Sequence, residues 1–256
     1  MSDSTSTPPS STVTLPSSAD TSYWGFKIMI GVSSNDPEGA QIAGLEAKDY
    51  FGISEMAGSA SFSTVNVKLI KGIVNVVNKI VDETVDIATD EAAAPIMDAW
   101  NESLKALEDA FDEDKIDTKV RDGWGKAHDG GYAIDEGGVL VCLPQAGGPL
   151  YHDDFQLESG ASDGRLPKYY PQGKAFFPCN KPGGLLYLQA SEAGTAHVLA
   201  YDSKDAFKDN QGAYNIEAWV LRPDLMPAGM TFEEGLEKIL SMPPNTAIAN
   251  PDPGVS

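Results

Sequence analysis

The spacing of apolar residues changes character twice along this chain. In "SYWGFKIMIGV", residues 22–32, aromatic and β-branched side chains crowd a short run that the turn-rich "SSNDPEGA" closes, which predicts a strand. Residues 40–63 are small and mixed, and can be placed only loosely. From Thr64 to Ala88 the pattern turns helical. Leu69, Ile70, Ile73, Val74, Val77, Ile80, Val81 and Val85 share one stripe, with Lys71, Asn78, Asp82 and Glu83 opposite. Pro95 then stands near the first turn of a second helical pattern, where proline is tolerated. That pattern presents Ile96, Trp100, Leu104, Leu107 and Phe111 on one side and acidic residues on the other. Two such helices with a short connection hide both stripes by packing as an antiparallel hairpin.

From Gly137 onward the texture predicts β structure. "GVLVCLPQ", "GGLLYLQAS", "GTAHVLAYD" and "GAYNIEAWVL" are short apolar or alternating runs, each opened by glycine and separated by Gly- and Pro-rich loops. That is the pattern of a sandwich rather than of βαβ units. "TFEEGLEKIL" reads as a short helix with a capping box between Thr231 and Glu234, and the residues after it as a loose tail. The expected fold class is α+β: an antiparallel β-sandwich with an inserted or appended helical hairpin. The expected divisions are a disordered Ser/Thr/Pro-rich tail over 1–22, first strands and loops over 23–63, the hairpin over 64–130, the sandwich over 131–226, and a helix with a loose tail over 227–256.

Composition narrows the function. The 256 residues carry a net charge of −20 and are 41% apolar, enough for an ordinary core. That charge disfavours nucleic acid and anionic membrane surfaces, both of which call for clustered Lys and Arg. It suits a chain that holds divalent cations. No stretch approaches the ~20 apolar residues of a membrane span, and the first residues lack a basic start and an apolar run. Cytoplasmic synthesis without a signal peptide is the expectation, with release by lysis or by a route other than Sec. Cys142 and Cys179 could pair, but two cysteines make no disulfide framework.

Ahead of the last long strand, Asp202, Asp205, Asp209 and Asn210 crowd into one short loop. Calcium takes six to eight oxygens from carboxylates, amides and main-chain carbonyls. Asp202, the carbonyl of Ala206, Asp209 and Asn210 could supply several, with Gly212 freeing the backbone to turn. The alternative is a solvated acidic loop with Asp and Asn in ordinary turn roles.

The loop resembles the calcium site of the PA-I-type galactophilic lectins, small bacterial β-sandwich proteins that bind galactose through calcium. Asp202, Ala206, Asp209, Asn210 and Gly212 fall on that family's positions in register. A second stretch, "ASDGRLPKYYPQGK", is similar to the segment whose main-chain carbonyl completes the calcium shell; here the resemblance implies the carbonyl of Asp163. It covers about residues 137–222 well and residues 22–42 weakly, and does not reach the hairpin or the tails. In place of the family's His-Pro-Asp-Gln sugar contacts this chain has "FFPCN", with Phe177 at the His position and Asn180 near the Gln. The resemblance therefore implies calcium, with Asp202, Asp209 and Asn210 serving ion and sugar, and Phe177 and Asn180 bordering the sugar. The polar half of sugar recognition is altered, so galactose specificity does not carry over.

Three readings follow. The first is a calcium-dependent carbohydrate-binding protein whose partner is a galactose-like or other glycan. The second is a lectin-guided pore-forming or effector toxin whose hairpin inserts into membranes. The third is a structural or assembly protein with a lectin-like fold and no sugar binding. Each is compatible with an oligomer. No enzyme is expected. His152, Asp153 and Asp154 adjoin in "YHDDF", but consecutive residues on a strand alternate faces and do not converge. His128 and His197 lack partner motifs, neither cysteine has a catalytic context, and no phosphate-binding glycine loop occurs.

Overall fold

The computed structural model describes residues 9–64, 117–128, 131–133, 137–155, 173–180 and 186–251. The chain forms two compact units, Met1–Phe62 with Val120–Ser256, and Ser63–Lys119. Most of the second unit, with the two helices expected there, lies outside the described residues. Within the span 64–130 assigned to the hairpin, residues 117–121 and 126–128 are strands, which corrects its far boundary.

The first unit is β-rich and sandwich-like. One sheet contains β1 (Thr12–Thr14), β3 (Ala40–Leu45), β11 (Gly194–Ala200), β8 (Val139–Cys142) and β9 (Ala175–Phe176), in the order β1-β3-β11-β8-β9. The other runs β10-β4-β12-β2-β13, from β10 (Tyr187–Gln189), β4 (Tyr50–Thr64), β12 (Gln211–Leu221), β2 (Tyr23–Ser33) and β13 (Thr246–Ala249). In chain order between β4 and β8, β5 (Asp117–Arg121), β6 (Lys126–His128) and β7 (Gly131–Ala133) complete the numbering, β6 and β7 pairing antiparallel.

The alternation in "GAYNIEAWVL" does what a half-buried strand requires. Tyr214, Ile216, Ala218 and Val220 enter the core between the sheets, where they meet Phe26, Ile28, Ile30 and Val32 of β2. The opposite face of this sheet is covered by the helix α1 (Phe232–Leu240), whose Thr231–Glu234 capping box forms as the sequence predicts. Trp24, Trp219, Leu221 and Ile239 make a second, smaller core beneath it.

β4 carries no readable period for a physical reason. Gly52 is required because a Cβ there would stand 2.3 Å from the Trp219 ring. Gly58, at φ +99, would meet the Ala213 carbonyl at 2.5 Å. Between them the register against β12 shifts, pairing Glu217 with Glu55 and Ala218 with Ile53, so Ser54 is an extra residue in a bulge. Inward and outward positions exchange parity there.

Both termini correct the expectation of loose tails. β1 pairs parallel with β3. Ahead of it, Ser11 N–H donates to the Gly31 carbonyl at 2.8 Å, while the Ser11 carbonyl accepts from Gln41 N–H at 2.9 Å. This segment therefore bridges one edge of each sheet. At the other end β13 pairs antiparallel with β2. Arg222, fully buried at the end of β12, ties the N-terminal segment down. It donates to the carbonyls of Pro16 at 2.6 Å and Gly44 at 2.9 Å and to Asp49 Oδ2 at 3.3 Å.

Burial pushes the Asp49 carboxyl from its ordinary 3.8 up to about 6, against the opposing pull of the Glu46 N–H and the Arg222 guanidinium. A folded-state value above the unfolded one means that the fold holds an extra proton in that window. The contribution of Asp49 to stability is therefore fully present below 3.8 and is lost as pH rises through about 6. Thermal unfolding across this range should show a shallower decline in Asp49→Asn than in the parent chain; equal slopes would remove Asp49 as its source.

Candidate functional site

The acidic loop leaves β11 at Ala200 and enters β12 at Gln211, and it is held from several sides. Phe207 is buried, its ring 6.0 Å from that of Tyr151, and Lys204 Nζ sits 5.3 Å over the same Tyr151 ring. A single 3-10 turn over Phe207–Asp209 brings the Asn210 N–H to the Phe207 carbonyl. Gly212, at φ +97, admits no side chain, since a Cβ would lie 2.4 Å from the Ser59 carbonyl. Its own carbonyl accepts from Ser34 N–H at 3.1 Å and Ser34 Oγ at 2.8 Å.

Inside this frame two of the expected ligands meet. Asp202 is buried, with Oδ1 accepting from Ser203 N–H at 2.7 Å and Oδ2 from Asn210 Nδ2 at 2.8 Å. Asn210 is 3% exposed, and its amide nitrogen donates a second bond to the Ser34 carbonyl at 3.1 Å. With both N–H groups spent, the amide cannot flip without setting oxygen against oxygen. Its Oδ1 is buried and has no hydrogen-bond partner. An orphan acceptor of this kind costs about 1–3 kcal/mol.

The remaining expected residues are not all drawn in. Asp209 is exposed on the loop's rim and Ala206 is half-buried. Asp163 lies outside the described residues. Phe177 belongs to the core, which corrects its placement beside a sugar: at 2% exposure, its ring stands edge-on to Tyr201 at 5.1 Å and tilted to Phe155 at 6.1 Å, with no face open to a ligand. Asn180 is exposed. Among the described residues no three His, Cys, Asp or Glu side chains gather as a metal cluster. The loop's donor set is instead one buried carboxylate, one amide oxygen and main-chain carbonyls.

The chain also brings together segments that linear spacing could not connect. His152–Asp154 is a 3-10 turn whose first N–H donates to the Asp202 carbonyl at 2.9 Å. The β2–β3 connection arrives through Ser34. The Tyr151 hydroxyl is held above its ordinary pKa, first by burial and then by the electrostatic influence of groups that include Glu38, Asp154 and Asp36. His197 is spent structurally, its Nδ1 lying 3.0 Å from the Glu38 carbonyl. Cys142 and Cys179 are buried thiols, not a disulfide, and burial pushes Cys142 up to about 12, out of nucleophilic range.

No family model, curated protein or solved structure matches this chain.

The Asp202–Asn210 contact makes a direct prediction for metal-stripped protein. Asn210→Asp sets two buried carboxylates against each other and should lower stability by about 2 kcal/mol or more at neutral pH. Because like charges raise a carboxyl pKa, the deficit relative to the parent should shrink at pH 4, where one proton relieves the pair. Paired unfolding curves at the two pH values test this; a deficit independent of pH would exclude charge repulsion.

Proposed function

We propose that this chain is a calcium-dependent carbohydrate-binding protein, with the ion held in the loop that runs from Asp202 to Asn210. The observation that carries the reading is the orphaned Oδ1 of Asn210, fixed beside the Asp202 carboxylate in a buried setting. A hard cation satisfies such an acceptor, and the Asp202 carboxylate 2.8 Å from the same amide favours a positive charge beside it. Asp202 and Asn210 would form the inner part of the shell, with the Ala206 carbonyl and the carbonyl of Asp163 as further donors. Asp209, exposed at the rim, would accept the protons of two sugar hydroxyls that replace water on the ion. The buried Phe177 takes no part, so any sugar would be recognised through the ion and the rim, without an aromatic platform at that position.

Titration calorimetry of calcium into metal-stripped protein tests the ion, beside the double variant Asp209→Ala, Asn210→Ala. Saturable binding is expected in the parent and its loss in the variant. A glycan array read with and without chelator then tests the sugar. Calcium binding with an empty array would reduce the ion to a structural clip. Absence of calcium binding would return the loop to an ordinary acidic turn.

A further inference from the structure

We infer that a second site, a cleft of about 610 Å³ between α1, β4 and β10, binds a neutral apolar small molecule that carries a single hydroxyl or amine donor. The cleft exists because α1 covers only part of the outer face of its sheet. Ile239 seats over Gly25 of β2, and Gly235 lets the helix approach Leu221 of β12. β4 and β10, farther along the sheet, are left with their outer side chains facing an open channel. Tyr50, Tyr187 and Trp219 form its aromatic side and Leu236 and Leu240 its aliphatic side, within the volume range of small-molecule sites.

The aromatic side is built, not incidental. Trp219 lies across Gly52, where no side chain fits. Tyr187 stands 5.6 Å from the Trp219 ring and 6.1 Å from Tyr50. Exposure points the same way: Leu186 at 38%, Tyr187 at 39% and Leu240 at 41% all line this one channel. Three such side chains are far short of the ~800 Å² that each partner buries in a stable protein interface, so a concave site for a small molecule is the better match.

The polar end of the channel selects the head group. The bulge in β4 turns Ser54 outward, and its hydroxyl donates to Glu217 Oε1 at 2.9 Å. Glu217 is in turn paired with Lys27 at 2.9 Å, and Lys27 also donates to the Leu240 carbonyl at 2.8 Å, closing the helix end. Ser54 Oγ, its proton committed, is left as an acceptor. No cation is among the described lining residues, and the Lys27 charge beside the channel is already matched by Glu217, so a carboxylate head would be desolvated with no cation of its own to pair with. A neutral donor-headed ligand fits; a fatty acid does not.

The site is independent of the calcium loop. Trp219 and Gln211 are separated along β12 by roughly 26 Å at ~3.3 Å per residue. The test uses the full chain and the neutral fluorophore N-phenyl-1-naphthylamine. Saturable enhancement is expected, unaffected by chelator and reversed by 1-decanol at concentrations at least tenfold below those needed for decanoate. Leu240→Asp and Tyr187→Ser, both at partly exposed positions, should weaken the probe tenfold or more with unfolding midpoints kept. Met29→Ser, exposed elsewhere, should leave it unchanged. Ser54→Ala should narrow the preference for alcohol over carboxylate. No saturable signal, equal competition by decanoate, or an unaffected Leu240→Asp variant would overturn the proposal. So would a concentration-dependent dimer abolished by Leu240→Asp, which would assign the channel to a second copy of the chain.

Discussion

Because β12 is hydrogen-bonded along both edges and buried along its second half, its neighbours have few choices left. Its pairing with β2 is continuous over Ala213–Leu221, and its pairing with β4 is broken only by the bulge at Ser54. One face packs into the main core, and part of the other lies under α1 and its small cluster around Trp24 and Trp219. Such a strand cannot shift by one residue without moving charged Glu217 into the main core and Ile216 out of it, so its register is strongly determined. The chain on either side of β12 inherits that precision: the acidic loop at its start and Arg222 at its end.

Arg222 shows what a buried charge demands. Its guanidinium is removed from water and lies 5.0 Å from the centre of the Phe26 ring, and it is stabilised through two main-chain carbonyls, the Asp49 carboxylate and, at 3.9 Å, that of Glu46. Such an arrangement contributes little net stability against an apolar substitute, but breaking it leaves an uncompensated charge. Its consequence is organisational. It joins the N-terminal segment, the β3–β4 turn and the end of β12 at one point. A Ser/Thr/Pro-rich stretch that is polar enough to read as disordered is thereby held against two sheet edges.

This explains which parts of the fold were legible. β2, β8, β11 and β12 are bounded by glycine or turn residues and carry strong apolar runs, so the local signal and the final environment agree. β4 was illegible because its two close approaches, at Gly52 and Gly58, and its bulge at Ser54 all arise from partners distant in sequence. β1 and β13 were illegible because they are short edge strands whose pairing depends on a ready-made sheet. At the candidate site, the pairing of Asp202 with Asn210 was legible as one short loop. The turn at His152–Asp154 and the approach of Ser34 were not, since tertiary folding alone brings them there. Phe177 misled because alignment to a motif says nothing of which way a ring points, and a phenylalanine next to Tyr201 and Phe155 gains more by burial than by facing water.

The surroundings of Asn210 bear on what could fill its unmet acceptor. Water is the usual answer to a buried orphan, but it needs two to four partners and must donate and accept in balance. The two groups that hold this amide are acceptors, the Asp202 carboxylate and the Ser34 carbonyl. The Asn210 N–H groups are already committed, and Ser203 N–H is committed to the far carboxylate oxygen. Each further acceptor placed here adds to the cost for a water, which could satisfy only two of them, and lowers it for a cation, which is satisfied by oxygens alone. The same reasoning accounts for the choice of residue. Aspartate at 210 would add charge but lose the two donors that hold Ser34 and Asp202 in place, whereas asparagine keeps the loop closed and still presents an oxygen.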